Sequence, residues 1–546
     1  MERNDWVAGV SVAGLMLPEA VAYAGIAGLP PQHAVVAAIL GCLVYSLIGR
    51  SRFAIVSPTS SSAAILAATM AILPGSTGDK LALVSVMVAL TGLLFVAAAV
   101  LRLGNLAGFV SRPVLRGFAL GLATTIIVRQ LPTITGAPIP ATDILHQILS
   151  LAGTWSQWNM VSVLVGLAAL VALLLLRRAP FLPGAFMVLC AGIAASYALG
   201  LASRGVAVVG PISFSLGWPS FSRLQWAQLR ELLPYTLPLV LILFAESWGT
   251  IRSLSLRHGE TVTANRELCA LGMANIASAV AQGMPVGAGF SAGSASEAAG
   301  AKSRMTAMIA AVGLAVIVAF GTSLIERLPE PVLAAVVIAA LTHALDPRPF
   351  WRLWQLKHDV FIALAAAAGV IVFGVVNGIL VAVVLSLAAL LRRLATPYVA
   401  SLGRLGDGHD FVDIARHADA QTVSGIAILR PAQPLFFANA DAILTETASR
   451  IAGGPYVSAV VVSLEESFDF DSTAIDALIE FDTLIRAQGK RVQYARVHDR
   501  VRDLIAIAAP PLLAYLSYSV DDAVATVSQA GNKAPGHMEA FDDAHL

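Results

Sequence analysis

The 546 residues exceed one ordinary domain. Hydrophobic residues make up 57% and charged residues 13%, against about 25% charged in soluble domains, and the net charge is +1. These values exclude a disordered or collagen-like chain, an ordinary soluble enzyme and a nucleic-acid binder, and they read as a polytopic membrane protein.

The N-terminal Met-Glu-Arg-Asn-Asp carries both signs of charge, and the apolar run begins at once at Trp6. No cleavable leader is therefore read, and the first segment is expected to stay in the bilayer. Apolar runs follow near 6–25, 33–49, 54–73, 81–101, 109–131, 158–176, 183–202, 234–251, 263–282, 287–299, 303–325, 330–345, 358–375 and 377–396. The runs 33–49 and 287–299 are short for a simple span of about 20 residues and are read as half-helices or strongly tilted ones. With the N-terminus cytoplasmic, 18 Lys and Arg residues fall on the inner side and 5 on the outer. That bias supports fourteen segments, with both termini cytoplasmic in an inner or plasma membrane.

Fourteen divides into seven plus seven, and an odd repeat length inverts the second copy. Segment three opens on Ser57-Pro58-Thr59-Ser60, and its repeat mate opens on Pro285-Val286-Gly287-Ala288-Gly289-Phe290-Ser291. Paired interrupted segments point to a transporter's binding site, and two half-helix N-termini facing each other favour an anion.

Ionisable residues inside apolar segments call for a role. Glu19 follows Pro18 in segment one, and Glu246 lies in segment eight; both are candidates for loading and releasing a proton. Arg129, at the end of segment five, is assigned to snorkelling toward the interface. Glu297 is placed at the cytoplasmic end of segment ten. No Gly-rich nucleotide loop, catalytic triad, HExxH or clustered Cys/His set is present in the sequence, so no enzyme chemistry, cofactor or metal is expected. Cys42, Cys190 and Cys269 lie far apart and read as packing residues.

Charge divides the chain. Residues 1–396 hold 24 basic and 14 acidic residues, and residues 397–546 hold 11 and 20. The expected organisation is a transmembrane domain at 1–396, a linker at 397–422, an α/β domain at 423–530 and a disordered tail at 531–546. In the α/β domain, strands are read at Gly425–Pro431, Pro434–Ala440, Ser458–Leu464 and Arg491–Val497, with a weak strand at Leu512–Ser519. Helices are read at Asp441–Ala452, Asp471–Gly489, Asp499–Ala509 and Asp521–Ala530. At Asp469-Phe470-Asp471-Ser472-Thr473, an Asp or Ser serves as helix N-cap, and Ser472 is the candidate for regulatory phosphorylation.

Several stretches in order carry a family resemblance. Pro18-Glu19-Ala20-Val21-Ala22-Tyr23-Ala24 is similar to a PQxxAYA pattern, and Gly108 to Phe118 to FxSRPVxxGF. Glu246-Ser247, Asn265-Arg266-Glu267-Leu268 with Gly272, Asn275 and Pro285, and Gly300-Ala301-Lys302 follow. Pro434 to Ala440 and Asp471-Ser472-Thr473 complete the set. From about residue 6 to 528 the chain resembles the SulP, or solute-carrier sulfate permease, family of anion transporters with a C-terminal STAS domain. The resemblance implies fourteen helices in a 7+7 inverted repeat, arranged as a core (segments 1–4 and 8–11) and a gate (5–7 and 12–14), in a homodimer. It places the anion between the N-termini of segments three and ten, with site positions Glu19, Tyr23, Thr59, Ser60, Glu246, Phe290, Ser291 and Ala292.

Three positions depart from that pattern. Ala292 stands where the family often has Arg, Glu19 where it has Gln, and Arg266 where it has Gln. The site thus lacks a cation and holds an additional carboxyl, which leaves sulfate, a dicarboxylate and bicarbonate open as substrates. The expected function is secondary active transport of a small anion by an elevator-like movement, coupled to a proton through Glu19 with Glu246 second. A sodium-coupled bicarbonate transporter and an uncoupled exchanger or channel are the alternatives. A membrane-anchored sensor is disfavoured, since an anchor needs no interrupted segments. A cytosolic partner of the STAS domain is a further expectation.

Overall fold

The computed structural model describes residues 3–72, 77–104, 112–137, 144–177, 184–210, 226–356, 359–453 and 456–532. The chain divides into two compact units, Met1–Leu387 and Ala388–Leu546.

The first unit is helical. Its elements are α1 (Arg3–Ala27), α2 (Pro31–Ile48), β1 (Val56–Pro58), α3 (Ser60–Ile72), α4 (Thr77–Val100), α5 (Arg112–Thr135), α6 (Ile144–Gly153), α7 (Met160–Leu176), α8 (Gly184–Leu199), α9 (Trp226–Arg257), α10 (Ala264–Val280), β2 (Val286–Ala288), α11 (Phe290–Ala298), α12 (Met305–Ile325), α13 (Glu330–Leu341), α14 (Arg348–Gln355) and α15 (Val360–Ala395). All fourteen apolar runs fall on these helices once α15 is read as two. It breaks at Gly374, whose φ of 80° and ψ of 171° suit a residue without Cβ. Five of the described helices are long and apolar enough to cross a membrane. The run at 33–49 forms the ordinary 18-residue helix α2, not a half-helix. The sequence reading does not anticipate α6 and α14, because each is too short to register as a span.

Packing follows the inverted repeat. In the core, α4 lies against α10, and α2 and α1 lie against α12. The α4–α10 crossing is close because both contact residues are glycine: a Cβ on Gly272 would stand 2.8 Å from the Gly92 carbonyl oxygen. The gate gathers α5, α7 and α8 around α13. Asp5 accepts hydrogen bonds from the backbone N–H groups of Lys302 and Ser303 at 2.8 and 2.9 Å, tying the start of α1 to the start of α12.

The two interrupted segments contain what the sequence reading misses. Before their helices, β1 and β2 pair antiparallel, with Val56 opposite Ala288, Ser57 opposite Gly287 and Pro58 opposite Val286. Each is three residues, all buried. Without this pairing the backbone polar groups on their facing edges would be unsatisfied inside the bundle.

The second unit is a sheet between helices. Its elements are β3 (Val399–Leu405), β4 (Phe411–Asp413), β5 (Ala420–Gln421), β6 (Ile426–Pro431), α16 (Ala440–Ala452), β7 (Ala459–Ser463), α17 (Ser472–Ala487), β8 (Arg491–Ala495), α18 (Asp499–Ala508), β9 (Leu516–Ser517) and α19 (Val520–Asn532). The strand order is β4-β3-β6-β7-β8-β9, with β5 also on β3; β6 to β9 run parallel and β3 is antiparallel to β6. Strand alternation sorts the core. Val460, Val462 and Tyr494 pack with α16, α17 and α18, while Ala459, Val461 and Ala495 pack with α19. The central strand β7 is buried throughout, as a parallel strand covered on both faces must be.

Three expectations are corrected here. Residues assigned to a linker at 397–422 supply β3, β4 and β5, because Val399, Ala400 and Leu402 are buried in the sheet. Pro434–Ala440 is not a strand. The Asn439 side chain accepts from the Phe436 N–H at 2.9 Å and donates to the Pro434 carbonyl at 3.0 Å, closing a turn before α16. In Leu512–Ser519 only Leu516 and Ser517 are strand; Pro510–Tyr515 form a 3-10 turn. Of the expected tail at 531–546, Gly531 and Asn532 end α19, and 533–546 lie outside the described residues, as do Gly108–Ser111 of the family-like stretch.

Candidate functional site

The half-helices are held by their own local chemistry. Before α3, the Thr59 N–H donates to the Ser62 hydroxyl oxygen at 3.0 Å, and the Ser62 N–H to the Thr59 hydroxyl oxygen at 3.2 Å. This reciprocal pair satisfies two first-turn donors. The Ser62 hydroxyl also reaches the Pro285 carbonyl at 3.1 Å, joining the two interrupted segments. Gly289 precedes α11 and has no side chain to cap it, so its first N–H groups keep their free valence.

Behind β2, Asn275 of α10 accepts from the Val286 N–H at 3.0 Å and donates to the Val286 carbonyl at 2.9 Å. Ser247 of α9 accepts from the Ala288 N–H at 2.9 Å. The adjacent Glu246 faces the other way, and its carboxylate accepts from the Thr59 hydroxyl at 3.4 Å. In the Glu-Ser pair, one residue therefore fixes the strand and its neighbour lines the site. From α1, the Glu19 carboxylate accepts from the Ser291 hydroxyl at 3.0 Å.

Glu19, Tyr23, Thr59, Ser60, Glu246, Phe290, Ser291 and Ala292 all line one cavity of about 90 Å³. One water needs roughly 10–15 Å³ on this measure, so the space admits a small anion. Both half-helix N-termini open on it, which favours negative charge. Two carboxyl groups line the same wall, and among the described residues no Lys or Arg does. Ala292 is 1% exposed and lines the cavity with its methyl group.

Sequence reasoning misses the opposite wall. Ala119 and Leu122 of α5 and Ala340 and Leu341 at the end of α13 complete the cavity from the gate side. Their only signal is apolar side chains, which carry no chemical signature. The cavity continues past Glu19, Phe290, Ser291 and Ala340 into a larger one of about 370 Å³ that reaches Leu15 and Arg177. A third, of about 480 Å³, lies at the C-terminal end of α1 and shares no lining residue with the central one.

The other singled-out residues separate from this site. Glu297 pairs with Arg257 at 3.0 Å and His258 at 2.8 Å at the end of α11. Arg129 is exposed and lines the third cavity, between α1 and the gate. Glu267 is a structural carboxylate: it accepts from the Tyr45 hydroxyl at 2.5 Å and the Arg50 N–H at 3.0 Å. In the second unit, Asp471 is the N-cap of α17, accepting from the Ala474 N–H at 2.8 Å, and Ser472 is the exposed first residue of that helix.

Two family models match the chain: the sulfate permease family over residues 3–367 and the STAS domain over residues 417–514. The chain belongs to the sulfate permease family. A probable sulfate transporter of Mycobacterium tuberculosis is 32% identical over 93% of this chain and 91% of that protein. The murine solute carrier 26 family member A9 anion transporter, solved in the inward-facing state, superposes with a TM-score of 0.85 at 19% identity, covering 96% of this chain and 91% of that one. The transmembrane domain of a cyanobacterial bicarbonate transporter, BicA, gives 0.61 at 21% identity, over 70% of this chain and 97% of that domain. The sulfate permease family is one of multi-pass anion transporters, not enzymes, and this chain carries both its membrane domain and its STAS domain.

Proposed function

We propose that this sulfate permease family member is a proton-coupled symporter of a small anion, with the cavity between α3 and α11 as the carried site. The observation that carries the reading is the pairing of Glu19 and Glu246 with two helix N-termini and no cation among the described residues lining that cavity. An anion entering beside two ionised carboxylates meets like charge at close range in a medium of low dielectric. Protonation of one carboxyl halves the like charge the anion meets, so the anion and the proton bind together. Glu19 is the coupling group, because Ser291 ties it to α11, where the anion sits, and Glu246 is second.

The wall of the site divides between core and gate. Glu19, Thr59, Glu246 and Ser291 belong to the core, and Ala119, Leu122, Ala340 and Leu341 are at the gate. A polar face sliding on a smooth apolar one supports elevator-like displacement of the core against the gate. The continuation of the cavity toward Arg177 leads to the cytoplasmic side if the basic loops face inward. Ser472, exposed at the start of α17, is the regulatory position we assign to the STAS domain, where added phosphate would meet a helix N-terminus.

Uptake of labelled sulfate, hydrogencarbonate and fumarate into proteoliposomes, with and without an inward proton gradient, tests the reading. One anion is expected to accumulate only with the gradient, and Glu19→Gln to abolish accumulation while retaining binding. Accumulation indifferent to the gradient, with Glu19→Gln behaving as wild type, would overturn coupling at Glu19 and leave sodium coupling or uncoupled exchange.

A further inference from the structure

The cavity of about 480 Å³ at the C-terminal end of α1 has its own chemistry. The end of α1 contributes Val21, Gly25 and Leu29, an apolar wall. Its polar groups come from the gate side: Arg129, Gln130 and Thr133 on α5, Gln147 on α6 and Glu330 at the start of α13.

Three of these groups have no side-chain partner among the described residues. Arg129 is exposed into this cavity, and no Asp or Glu stands within ion-pair distance of it among the described residues. Gln147 is 3% exposed, and its Oε1 has no hydrogen-bond partner among the described residues. A buried acceptor left unpaired is costly, so a donor from a ligand or water belongs there. Glu330 is held by backbone: its N–H donates to the Ala207 carbonyl at 2.9 Å while Val209 N–H donates to the Leu328 carbonyl at 3.1 Å. Its carboxylate has no cation within ion-pair distance among the described residues.

One cation, one orphaned acceptor and one carboxylate complement a particular ligand: a single negative charge for Arg129 and an O–H for Gln147 or Glu330 to accept. A fully ionised dianion offers no O–H and meets the Glu330 charge. We propose that this cavity is a second anion-binding site, fixed on the gate, that receives a monoanion retaining an O–H group, such as hydrogencarbonate or a half-protonated dicarboxylate, before or after it occupies the carried site. The proposal rests on the transport reading and deepens it. Because Arg129, Gln147 and Glu330 belong to gate elements, the site stays in place while the core moves, and it serves one membrane face only.

The test compares the two faces of the membrane. Uptake of labelled hydrogencarbonate and sulfate is measured in intact expressing cells and in inverted vesicles, for wild type, Arg129→Gln, Arg129→Lys and Glu330→Gln. Arg129→Gln is expected to raise the KM for hydrogencarbonate about tenfold at one face and leave the other unchanged, the size of one charge-assisted hydrogen bond. Arg129→Lys is expected to recover most of that loss, and Glu330→Gln to bring sulfate closer to hydrogencarbonate at the same face. A KM unchanged at both faces, or raised equally at both, overturns the site; wild type taking sulfate as readily as hydrogencarbonate at that face overturns its selectivity. If wild type moves neither of these anions nor fumarate, the transport reading has failed. Broadening of the carbon-13 resonance of hydrogencarbonate by the purified full chain then decides the site alone, with Arg129→Gln expected to abolish it and an unchanged signal overturning it. The same measurement on Arg129→Lys and Glu330→Gln serves if Arg129→Gln does not fold.

Discussion

The Ser291 hydroxyl donates to the Glu19 carboxylate at 3.0 Å, joining the first turn of the half-helix α11 to the middle of α1. The two residues stand 272 positions apart and meet inside the bundle. Ser291 thereby holds the carboxylate at the mouth of the helix where the anion is proposed to sit. Ser291→Ala removes a hydrogen bond to a charged group, typically about 1.5–3 kcal/mol. The KM for the transported anion is expected to rise by roughly tenfold or more, read by initial-rate uptake into proteoliposomes. Ser291→Thr keeps the hydroxyl and is expected to remain within about threefold of wild type.

Asp471 performs two tasks at the head of α17. One carboxylate oxygen accepts from the Ala474 N–H at 2.8 Å and the other from the Phe437 N–H at 2.7 Å. Loss of a cap typically costs about 0.5–2 kcal/mol, so Asp471→Ala is expected to lower the unfolding midpoint of the STAS domain in the full chain by that amount. Ser472, exposed and making no cap bond, behaves differently. Ser472→Ala is expected to leave the midpoint within about 0.5 kcal/mol, as surface substitutions do. Denaturant titration in detergent checks both.

Asp521, in the first turn of α19, joins that helix to the β3–β4 hairpin. It pairs with His409 at 2.5 Å and Arg404 at 2.5 Å. The His409 hydrogen bond, opposed by burial and aided by Arg404, holds its carboxyl below the ordinary value of 3.8. A depressed pKa in the folded state contributes stability that is fully present above the unfolded value. That contribution fades as pH falls through the folded value. Asp521→Asn is therefore expected to destabilise the domain at pH 7 and to do so less and less below about pH 4. Unfolding midpoints of both chains across that range test the sign; a gap that widens on acidification contradicts it.

Much of this architecture was legible because apolar length is a strong signal. All fourteen runs fall on helices, and the Pro and Gly openings of segments three and ten mark where those helices break. The eight site positions converge because motif order carries them. What was hidden has physical reasons. Three-residue strands such as Val56–Pro58 are too short for any periodicity, and their partner lies in the other repeat. The Gly406–Asp410 stretch reads as a linker from composition, yet it is a hairpin turn closed by the Leu405 N–H on the Asp410 carbonyl at 2.9 Å. The gate wall at Ala119 and Ala340 carries no polar group to flag it. Arg129 sits at a helix end in sequence, where only the tertiary fold distinguishes a lipid interface from a cavity.

The cross-repeat pairing of β1 with β2 also sets an order of assembly. Ser62 and Pro285 are 223 residues apart in sequence and bonded in the fold, so the first half-helix lacks its cross-repeat partner until the second repeat has been synthesised. During that interval, the edge of β1 that pairs with β2 is without its partner. At about 5–20 residues per second, the delay is on the order of ten seconds to a minute. The anion site is thus among the last parts of the membrane unit to exist, and substitutions in β2 should act on the yield of inserted protein before they act on transport.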